Sequence, residues 1–404
     1  MKIGIIGAGA SGILCAIYAA QRGHEIIIFE RKDRMLKKVL VTGNGTCNFT
    51  NINAGYDNYF SIEDKIDEKI FNKYSFEDVL AFFQKIGIEY KVEKFGKVYP
   101  LSYQAASIVD ALRFKVESMN NIEVRYEFDV AKVRKKNAKF NVTSINDETV
   151  IVDKLVIAAG GISYPELGSN GSGYDLAAKM GHSRTNIFPV LVQLKVDKKY
   201  AKGLEGVKQR VKLSVYKNGE LLRSDENELL FTAYGVSGPC IFNLSYLTAL
   251  YDFEELYWHV DFLSMYSEDE LRRLLHVRKQ ELGYLEIEYY LNGLVNKKFA
   301  SYLLKSVGIE KLNFKVSELD DEIIERLVEK LKKFVFKVYD TTGFSNAQVT
   351  AGGIRINEVD NYTLESKIVK GLYFTGEVLD VFGDCGGYNL NWCFISGMHV
   401  GNNI

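Results

Sequence analysis

The stretch that decides the fold stands at the start of the chain, where KIGII (Lys2–Ile6) runs directly into GAGASG (Gly7–Gly12). The first five residues are almost continuously apolar, which is typical of a strand buried in a parallel sheet. The residues after Gly9 predict a helix from about residue 11 to residue 22. Gly23 would end it, because glycine readily takes the left-handed conformation that follows a helix C-terminus. A second strand, Glu25–Phe29, completes a predicted β-α-β unit.

The spacing of the glycines predicts a dinucleotide site. Gly7 permits a tight turn, Gly9 lets backbone N–H groups approach a pyrophosphate, and Gly12 lets helix and strand pack closely. The helix N-terminus offers N–H groups and a positive dipole to the anion. Glu30, at the end of the second strand, can accept hydrogen bonds from ribose hydroxyls. A turn kept for packing alone is the less favoured interpretation, and the pattern does not decide between FAD and NAD.

Two further stretches favour FAD. The loop LKKVLVTGNGTCNFTN (36–51) is crowded with small and amide residues and exposes backbone to a long ligand, although a surface loop is the alternative. NAD does not need this loop, whereas the ribityl chain and isoalloxazine of FAD extend beyond the pyrophosphate. The glycine-rich text from Ala158 to His182 predicts a further backbone edge near the cofactor. It contains no second β-α-β unit for a nicotinamide nucleotide.

The C-terminal stretch GEVLDVFGDCGGYNLNWCFISGMHVG (Gly376–Gly401) completes the prediction of FAD. The strand Leu372–Phe374 is expected to return beside the first strand. A last helix is predicted to start at about Tyr388, with its N-terminus directed at the flavin pyrimidine ring. A helix dipole there would stabilise the negative charge of reduced flavin.

Composition excludes several classes of function. The 404 residues are 47% hydrophobic and 25% charged, with a formal net charge of −1, so nothing electrostatic favours nucleic acid or an anionic membrane as partner. No apolar run reaches the roughly 18 residues of a membrane span. Five scattered cysteines show no C-x-x-C spacing, which indicates reduced thiols and a cytoplasmic protein. A small molecule is the expected partner, and the sequence does not indicate the oligomeric state.

The order of elements predicts an α/β protein with a discontinuous first domain. Antiparallel strands are predicted over 122–134 and 139–152, a hairpin at Asn218-Gly219, and helix N-termini at Ser75, Ser267 and Ser317. The predicted domains are an FAD-binding domain over 1–189 and 337–404, an inserted β domain over 190–264, and an inserted helical domain over 265–336.

Six motifs together resemble the BaiN/YhiN-like family of NAD(P)/FAD-dependent oxidoreductases, some members of which are labelled aminoacetone oxidase-like. They are GAGASG, VTGNGTCNFTN, AAGGISYPELGSNGSGYDLA, YGVSGPCIFNLS, SNAQVTAGGI and GEVLDVFGDCGGYNLNWCFISG, in order over essentially the whole chain. The resemblance implies a Rossmann-like, glutathione-reductase-type FAD-binding domain with an inserted β-barrel-like domain and a helical domain. Where the family usually reads G-R-C-N, this chain has Thr46, so any contact of that arginine is lost.

Motifs and resemblance together predict the residues that contact the cofactor, and they predict no metal site. The predicted cofactor-binding residues are Gly7, Ala8, Gly9, Ala10, Ser11, Gly12, Glu30, Arg31, Lys38, Thr42, Gly43, Asn44, Gly45, Cys47, Asn48, Val130, Ala159, Gly160, Gly161, Gly376, Glu377, Asp380, Gly387, Tyr388 and Asn389. Cys47 is expected to be a packed thiol and not a redox catalyst, because no second cysteine lies nearby. His182, at a predicted helix end, is expected to be structural. No catalytic acid is predicted, and Tyr388 and Asn389 are the residues to test.

Three functions remain open from the sequence. The favoured one is an FAD-dependent oxidoreductase that moves hydride between flavin N5 and a small molecule bound between the FAD domain and the insert. The reaction would be C=C reduction with NAD(P)H as a transient donor, or oxidation of an aminoacetone-like amine with O₂. The second is a flavin-dependent protein that modifies tRNA or binds nucleic acid. The third is a redox-sensing interaction module.

Overall fold

The computed structural model describes residues 1–404, except for the side chains of Lys199, Ala201 and Lys202. The strands are β1 Lys2–Ile6, β2 Glu25–Phe29, β3 Thr50–Asn51, β4 Tyr59–Phe60, β5 Tyr90–Val92, β6 Lys97–Pro100, β7 Ile122–Arg125, β8 Val130–Lys136, β9 Lys139–Ser144, β10 Thr149–Val152, β11 Lys154–Ile157, β12 Phe188–Val190, β13 Leu194–Val196, β14 Lys208–Lys217, β15 Glu220–Phe231, β16 Gly235–Ser237, β17 Leu256–Asp261, β18 Phe334–Phe336, β19 Val338–Thr341, β20 Val349–Ala351, β21 Leu372–Phe374 and β22 Phe382–Gly383.

The α-helices connect these strands. They are α1 Ala10–Gln21, α2 Lys37–Leu40, α3 Lys69–Lys73, α4 Phe76–Lys85, α5 Ala105–Glu117, α6 Ser172–Lys179, α7 Lys198–Leu204, α8 Pro239–Leu244, α9 Leu247–Leu250, α10 Glu268–Glu281, α11 Lys297–Ser306, α12 Asp321–Lys332 and α13 Tyr388–Asn403. The chain divides into two compact units, Met1–Val190 with Phe344–Ile404, and Leu191–Gly343.

A five-stranded parallel sheet forms the centre of the first unit, in the order β21-β11-β1-β2-β7. Its register pairs Ile5 with Ile28 on one side and with Val156 on the other. All three side chains are fully buried, as expected for a parallel sheet covered on both faces. The β1-α1-β2 unit predicted from the glycine stretch is confirmed, and Gly23 follows α1 with a φ of 82°.

Two strand predictions for the first unit were wrong. β7 pairs in parallel with β2 at the sheet edge, so antiparallel pairing begins only with β8, β9 and β10. The strand predicted to return beside β1, now β21, lies beside β11 instead. Alternation of apolar residues reports which face of a strand is buried, and it does not report which strand is the neighbour.

The last helix packs directly on the first helix. A β-carbon built on Gly397 would collide with the carbonyl oxygen of Ser11, and one on Gly401 would lie 2.6 Å from the carbonyl oxygen of Cys15. Each pair is spaced by four residues, so each forms a stripe along one helix face. Positions 397 and 401 of α13 therefore require glycine, because the two helix backbones are too close for a side chain to fit between them.

The second unit is built on a seven-stranded sheet in the order β18-β17-β14-β15-β16-β13-β19. The predicted hairpin is confirmed: β14 and β15 pair antiparallel, and Asn218 and Gly219 have φ values of 52° and 83°. β18 and β19 follow α10–α12 and rejoin this sheet. The predicted separation of residues 190–264 from 265–336 as two domains stays a prediction.

Two of the three predicted helix N-termini are confirmed. The Asp78 carboxylate accepts a hydrogen bond from the Ser75 N–H at 2.8 Å, and Glu270 does the same for Ser267. The prediction at Ser317 was wrong, because α12 is capped by Asp320, whose side chain accepts from the Glu322 N–H. Two acceptors stood three residues apart in the sequence, and the one nearer the helix serves as its cap. Across the described part of the chain, no helix combines the length and apolarity needed to cross a membrane.

Substituting Gly397 tests the close packing of α13 on α1. We expect Gly397→Ala to lower the free energy of unfolding by about 1–3 kcal/mol, because the added methyl meets backbone that cannot move aside. Denaturant titration of wild type and variant would measure the difference in the free energy of unfolding. Gly55→Ala is the matched control, since Gly55 has an extended backbone and a β-carbon there meets nothing within 4 Å. Equal effects of the two substitutions would contradict the packing argument.

Candidate functional site

The turn between β1 and α1 has the geometry of an anion site. Gly7 has a φ of 107°, and a β-carbon on it would lie 2.6 Å from the carbonyl oxygen of Ala158. A β-carbon on Gly12 would collide with the carbonyl oxygen of Gly7. Gly9 differs, because nothing lies within 4 Å of its β-carbon position. Gly9 precedes α1 without a side-chain cap, so the free N–H groups of the helix face open space.

Glu30 lies beside this turn, and the next residue, Arg31, connects it to the chain just before Val130. The Glu30 carboxylate accepts hydrogen bonds from the N–H groups of Ala8 and Lys32, both at 2.8 Å. Burial raises the pKa of Glu30 from its usual value, although these hydrogen bonds oppose the rise. Each carboxylate oxygen keeps a lone pair that could accept from a ribose hydroxyl.

An unsatisfied donor marks the same place. Arg31 bonds Asp129 through Nη2 at 3.1 Å, and Asp129 immediately precedes Val130. The Arg31 Nη1 atom is buried and has no hydrogen-bond partner. Buried donors are rarely left unpaired in a protein, so a polar group of a bound molecule fits here. An extended nucleotide running from the Gly9 space toward Glu30 would supply one.

The loop of residues 42–48 is shaped by left-handed backbone. Gly43, Asn44 and Cys47 have φ values of 56°, 53° and 56°, and Gly45 has one of 87°. Asn48 is fixed by a hydrogen bond that its Oδ1 accepts from the Val98 N–H at 3.1 Å. The loop therefore has a defined shape that can present backbone groups to a ligand.

Cys47 has the environment of a structural thiol. Its side chain is fully buried, and this burial raises the pKa of Cys47 to about 11. The thiol is therefore protonated at neutral pH and is a poor nucleophile.

A polar cluster joins residues that are distant in sequence. Glu377 forms an ion pair with Lys38 at 2.9 Å and accepts a hydrogen bond from the Thr350 N–H at 2.7 Å. A β-carbon on Gly161 would lie 2.5 Å from the Thr350 hydroxyl and 3.1 Å from Glu377 Oε1, so only glycine fits. Gly160 lies at the same edge, with a φ of 71°. The predicted residues 38, 160, 161 and 377 thus come together.

Thr350 was missed as a site residue. Its hydroxyl accepts hydrogen bonds from the N–H groups of Ile162 and Ser163 at 2.9 and 3.1 Å, so it fixes the chain after Gly161. The available signal was its position in SNAQVTAGGI, one of the motifs that carry the family resemblance.

Asp380 is a buried carboxylate with an unusual pKa. Its oxygens accept from the N–H groups of Ile62 and Glu63 at 3.0 to 3.3 Å. Burial raises the pKa of Asp380 to about 6, against the opposing effect of these hydrogen bonds and of the Thr185 hydroxyl. The residue therefore changes charge close to neutral pH.

The start of α13 faces the 42–51 segment. Gly387 precedes the helix with a φ of 99° and no side-chain cap, and its β-carbon position collides with the carbonyl oxygen of Thr50. The Thr50 hydroxyl bonds Asn391 Oδ1 at 2.7 Å, and the Tyr59 hydroxyl donates to the carbonyl of Tyr388 at 3.0 Å. The free N–H groups of a second helix are thereby fixed beside the loop.

Asn389 and His182 have structural roles. The Asn389 amide accepts from the Gly383 N–H and donates to the carbonyls of Gly383 and Asp384, so the turn before α13 uses the whole group. His182 is buried, with Nδ1 at 3.1 Å from Glu358 and Nε2 at 2.7 Å from the Ser366 hydroxyl. Both ring nitrogens are occupied, as a structural histidine requires.

Comparison with known proteins places the chain among flavin enzymes. It matches the family model described as the HI0933-like protein Rossmann domain over residues 1–403. It is 37% identical to a 3-dehydro-bile acid delta(4,6)-reductase of Clostridium scindens, over 99% of this chain and 98% of that protein. It is 30% identical to a ribosomal RNA dihydrouridine synthase of Escherichia coli, over 97% of this chain and 95% of that protein.

Two solved structures share the fold at low sequence identity. A 3-ketosteroid-delta4-(5alpha)-dehydrogenase from Rhodococcus jostii aligns with a TM-score of 0.50 and 14% identity, over 100% of this chain and 95% of that one. Quinol fumarate reductase FrdA of E. coli aligns with a TM-score of 0.52 and 13% identity, over 100% of this chain and 69% of that one. The predicted fold class and the predicted family resemblance are confirmed.

Filling the open space at Gly9 tests the anion site. We expect Gly9→Val to weaken FAD binding by roughly tenfold or more, because the side chain occupies the space before the free N–H groups. Stability should change little, since the φ of −82° and ψ of −175° at Gly9 suit any residue. Titration of the FAD-depleted protein with FAD would measure the affinity. Gly55→Val is the control, and equal losses in both variants would contradict the assignment.

The pH dependence of stability tests the environment of Asp380. Its folded pKa lies above its unfolded value, so its contribution to stability is full below about pH 4 and is lost as the pH rises through 6. We expect Asp380→Asn to gain stability relative to wild type between pH 4 and 7, by on the order of 3 kcal/mol. Urea unfolding at several pH values would measure this difference. A difference between the variant and wild type that stays constant from pH 4 to pH 7 would contradict the argument.

Proposed function

The chain belongs to the HI0933-like family and is an FAD-dependent oxidoreductase, and on this premise we propose that it reduces a C=C bond conjugated to a carbonyl. The substrate is a small organic molecule, and NADH or NADPH is the electron donor. The residues that would hold FAD are those of the β1-α1 turn, Glu30 and Arg31, the 42–48 loop, the Lys38–Glu377 cluster and the start of α13.

The chemistry named for two relatives carries this proposal. A delta(4,6)-reductase of a 3-dehydro bile acid is named for double bonds that stand in conjugation with a 3-oxo group. Dihydrouridine differs from uridine by two hydrogens across a C=C bond that is conjugated to a uracil carbonyl. Both names describe the gain of two hydrogens across a conjugated C=C bond, which a hydride and a proton can supply. We infer from these two relatives the type of reaction that this chain catalyses, and we do not infer either substrate.

The reaction balances with one donor and one proton. NAD(P)H, a proton and the C=C substrate give NAD(P)⁺ and the saturated product, with the hydride on one carbon and the proton, from solvent, on the other. FAD, held by these residues, would supply the hydride-carrier chemistry between donor and substrate. The chain's own residues bind and orient that carrier, through two helix N-termini and the left-handed loop.

Charge placement by the protein supports reduction. The uncapped N-terminus of α13 puts a positive dipole end beside the 42–51 segment, where negative charge on the cofactor would be stabilised. Lys38 lies in the same unit but is paired with Glu377 at 2.9 Å, so its charge is offset and the helix dipole carries the argument. No side chain is assigned as the proton donor. The Asn389 amide is hydrogen-bonded within the turn before α13 and is not available to a substrate.

Reduction of uridine in ribosomal RNA is a second candidate, favoured by the E. coli relative. The same conjugated bond type would then lie in a polynucleotide. The formal net charge of −1 supports a small molecule over RNA as substrate.

An anaerobic absorbance experiment tests the proposal. We expect NADH or NADPH to bleach the flavin band of the purified protein, and a conjugated enone steroid to restore it. An RNA fragment containing uridine, analysed for dihydrouridine, and a saturated ketone are the comparison acceptors. Restoration by RNA alone would transfer the proposal to the second candidate. A flavin reduced by amines and not by NAD(P)H would contradict it in favour of an amine oxidase.

A further inference from the structure

We propose that a cavity between the 42–48 loop and the hairpin of β5 and β6 binds the phosphate-bearing part of the pyridine dinucleotide donor. This donor cavity has a volume of about 430 Å³, within the range of small-ligand pockets. It is lined by Thr46, Glu93, Lys94, Phe95, Lys97, Tyr99 and Tyr103. The inference rests on the proposed use of NAD(P)H and adds the site at which the donor is held.

The charge of the donor cavity is positive. Among the described side chains, neither Lys94 nor Lys97 is engaged in an ion pair. The one carboxylate in the lining, Glu93, is bonded to Lys91 at 2.8 Å and accepts the Tyr103 hydroxyl, so its charge is offset. Two ammonium groups therefore remain for an anion. A dinucleotide pyrophosphate carries the charge that they would neutralise.

Aromatic rings form the other part of the lining. The Tyr99 and Tyr103 rings lie 5.6 Å apart, tilted by 31°. Phe95 is 54% exposed and Tyr103 is 37% exposed, so a ligand can reach both rings. Flat aromatic faces stack on nucleotide bases and on a nicotinamide ring without selecting one base. The lysines can therefore bind the phosphates of a nucleotide, and the aromatic rings can stack on its base.

Two turns beside the cavity, one between β5 and β6 and one after β6, contain left-handed backbone. Phe95 and Tyr103 have φ values of 64° and 52°, which bulky side chains rarely adopt. Gly96, which follows Phe95, has a φ of 74° and no room for a β-carbon against Asn51. Strain of this kind persists only where the surroundings impose it, and it concentrates at binding sites.

Asn51 joins the cavity wall to the proposed cofactor site. Its side-chain amide donates to the carbonyl of Phe95 at 3.1 Å and to the carbonyl of Gly386 at 2.9 Å. A β-carbon on Gly386 would lie 3.4 Å from Cε of Lys97. Thr46, in the cavity lining, belongs to the loop proposed to contact the flavin. The cavity thus shares two walls with the residues that would hold FAD.

A pyridine dinucleotide is favoured over RNA as the occupant. The sequence contains one β-α-β dinucleotide unit, which FAD uses, so a second dinucleotide must bind elsewhere. The lining offers two cations, Lys94 and Lys97, whereas a groove that follows a polynucleotide carries a longer series of basic side chains. A bound single strand is therefore an outcome of the test and not the expected result.

Direct binding of a redox-inert donor tests the site without turnover. The probes are 1,4,5,6-tetrahydro-NADH and 1,4,5,6-tetrahydro-NADPH, titrated into the FAD-loaded protein by calorimetry. We expect the double variant Lys94→Gln/Lys97→Met to weaken binding by roughly tenfold or more, and Phe95→Leu to weaken it several-fold. The double variant Lys132→Gln/Lys136→Met, at exposed positions of β8, is the matched control and should bind as wild type does. Circular dichroism and FAD content would confirm folding of each variant.

The outcomes separate this inference from the proposed function. Equal binding by wild type and the cavity variants, with flavin still reduced by NAD(P)H, would overturn the cavity and leave the donor. Absence of both binding and reduction would overturn the cavity and the donor together, while dithionite-reduced protein would still test enone reduction by itself. Binding of a uridine-containing oligonucleotide that depends on Lys94 and Lys97, without analogue binding, would overturn the inference in favour of RNA.

Discussion

The structure of the first unit depends on the close approach of two helix backbones, those of α1 and α13. The contact joins the first glycine-rich stretch to the last one, across nearly the whole chain. It is possible only because Gly397 and Gly401 leave no side chain between α13 and the carbonyls of α1. Backbone contact of this kind tolerates almost no added volume, since atoms in a protein interior already touch. The relative position of the two helices is therefore fixed within narrow limits.

This constraint places two uncapped helix N-termini in one rigid arrangement. Each carries free N–H groups and the positive end of a dipole, and each begins at a glycine that admits a ligand or a neighbouring loop. A cofactor with a pyrophosphate at one place and an electron-accepting ring at another requires two such positions at a defined separation. The distance in sequence between the glycine-rich stretches follows from this requirement, because the two positions act on different parts of the same molecule.

Much of the backbone geometry at the candidate cofactor site could be predicted from sequence, because the need for glycine at a given position reflects the space around it. Gly7 and Gly12 lie where a β-carbon would strike a neighbouring atom, as the glycine spacing indicated, and Gly161 does so as well. Contacts that depend on pairing across the fold could not be predicted. The predicted neighbour of β21 was wrong. Thr350 was missed because its contact with Glu377 depends on where β20 lies in the folded chain. The donor cavity could not be predicted either, because residue 46 and residues 93–103 are distant in sequence and come together only through folding.

The position of Thr46 shows how charge is distributed around that cavity. Its hydroxyl donates to the carbonyl of Gly43 at 2.6 Å, so the side chain is used to close its own loop. The cations of the cavity therefore come from the facing hairpin, through Lys94 and Lys97. Asn51 fixes that hairpin to the turn before α13, the same turn that presents the second helix N-terminus. Positive charge for a donor and positive dipole for the cofactor are thus held by one hydrogen-bonded framework, so displacement of either would disturb the other.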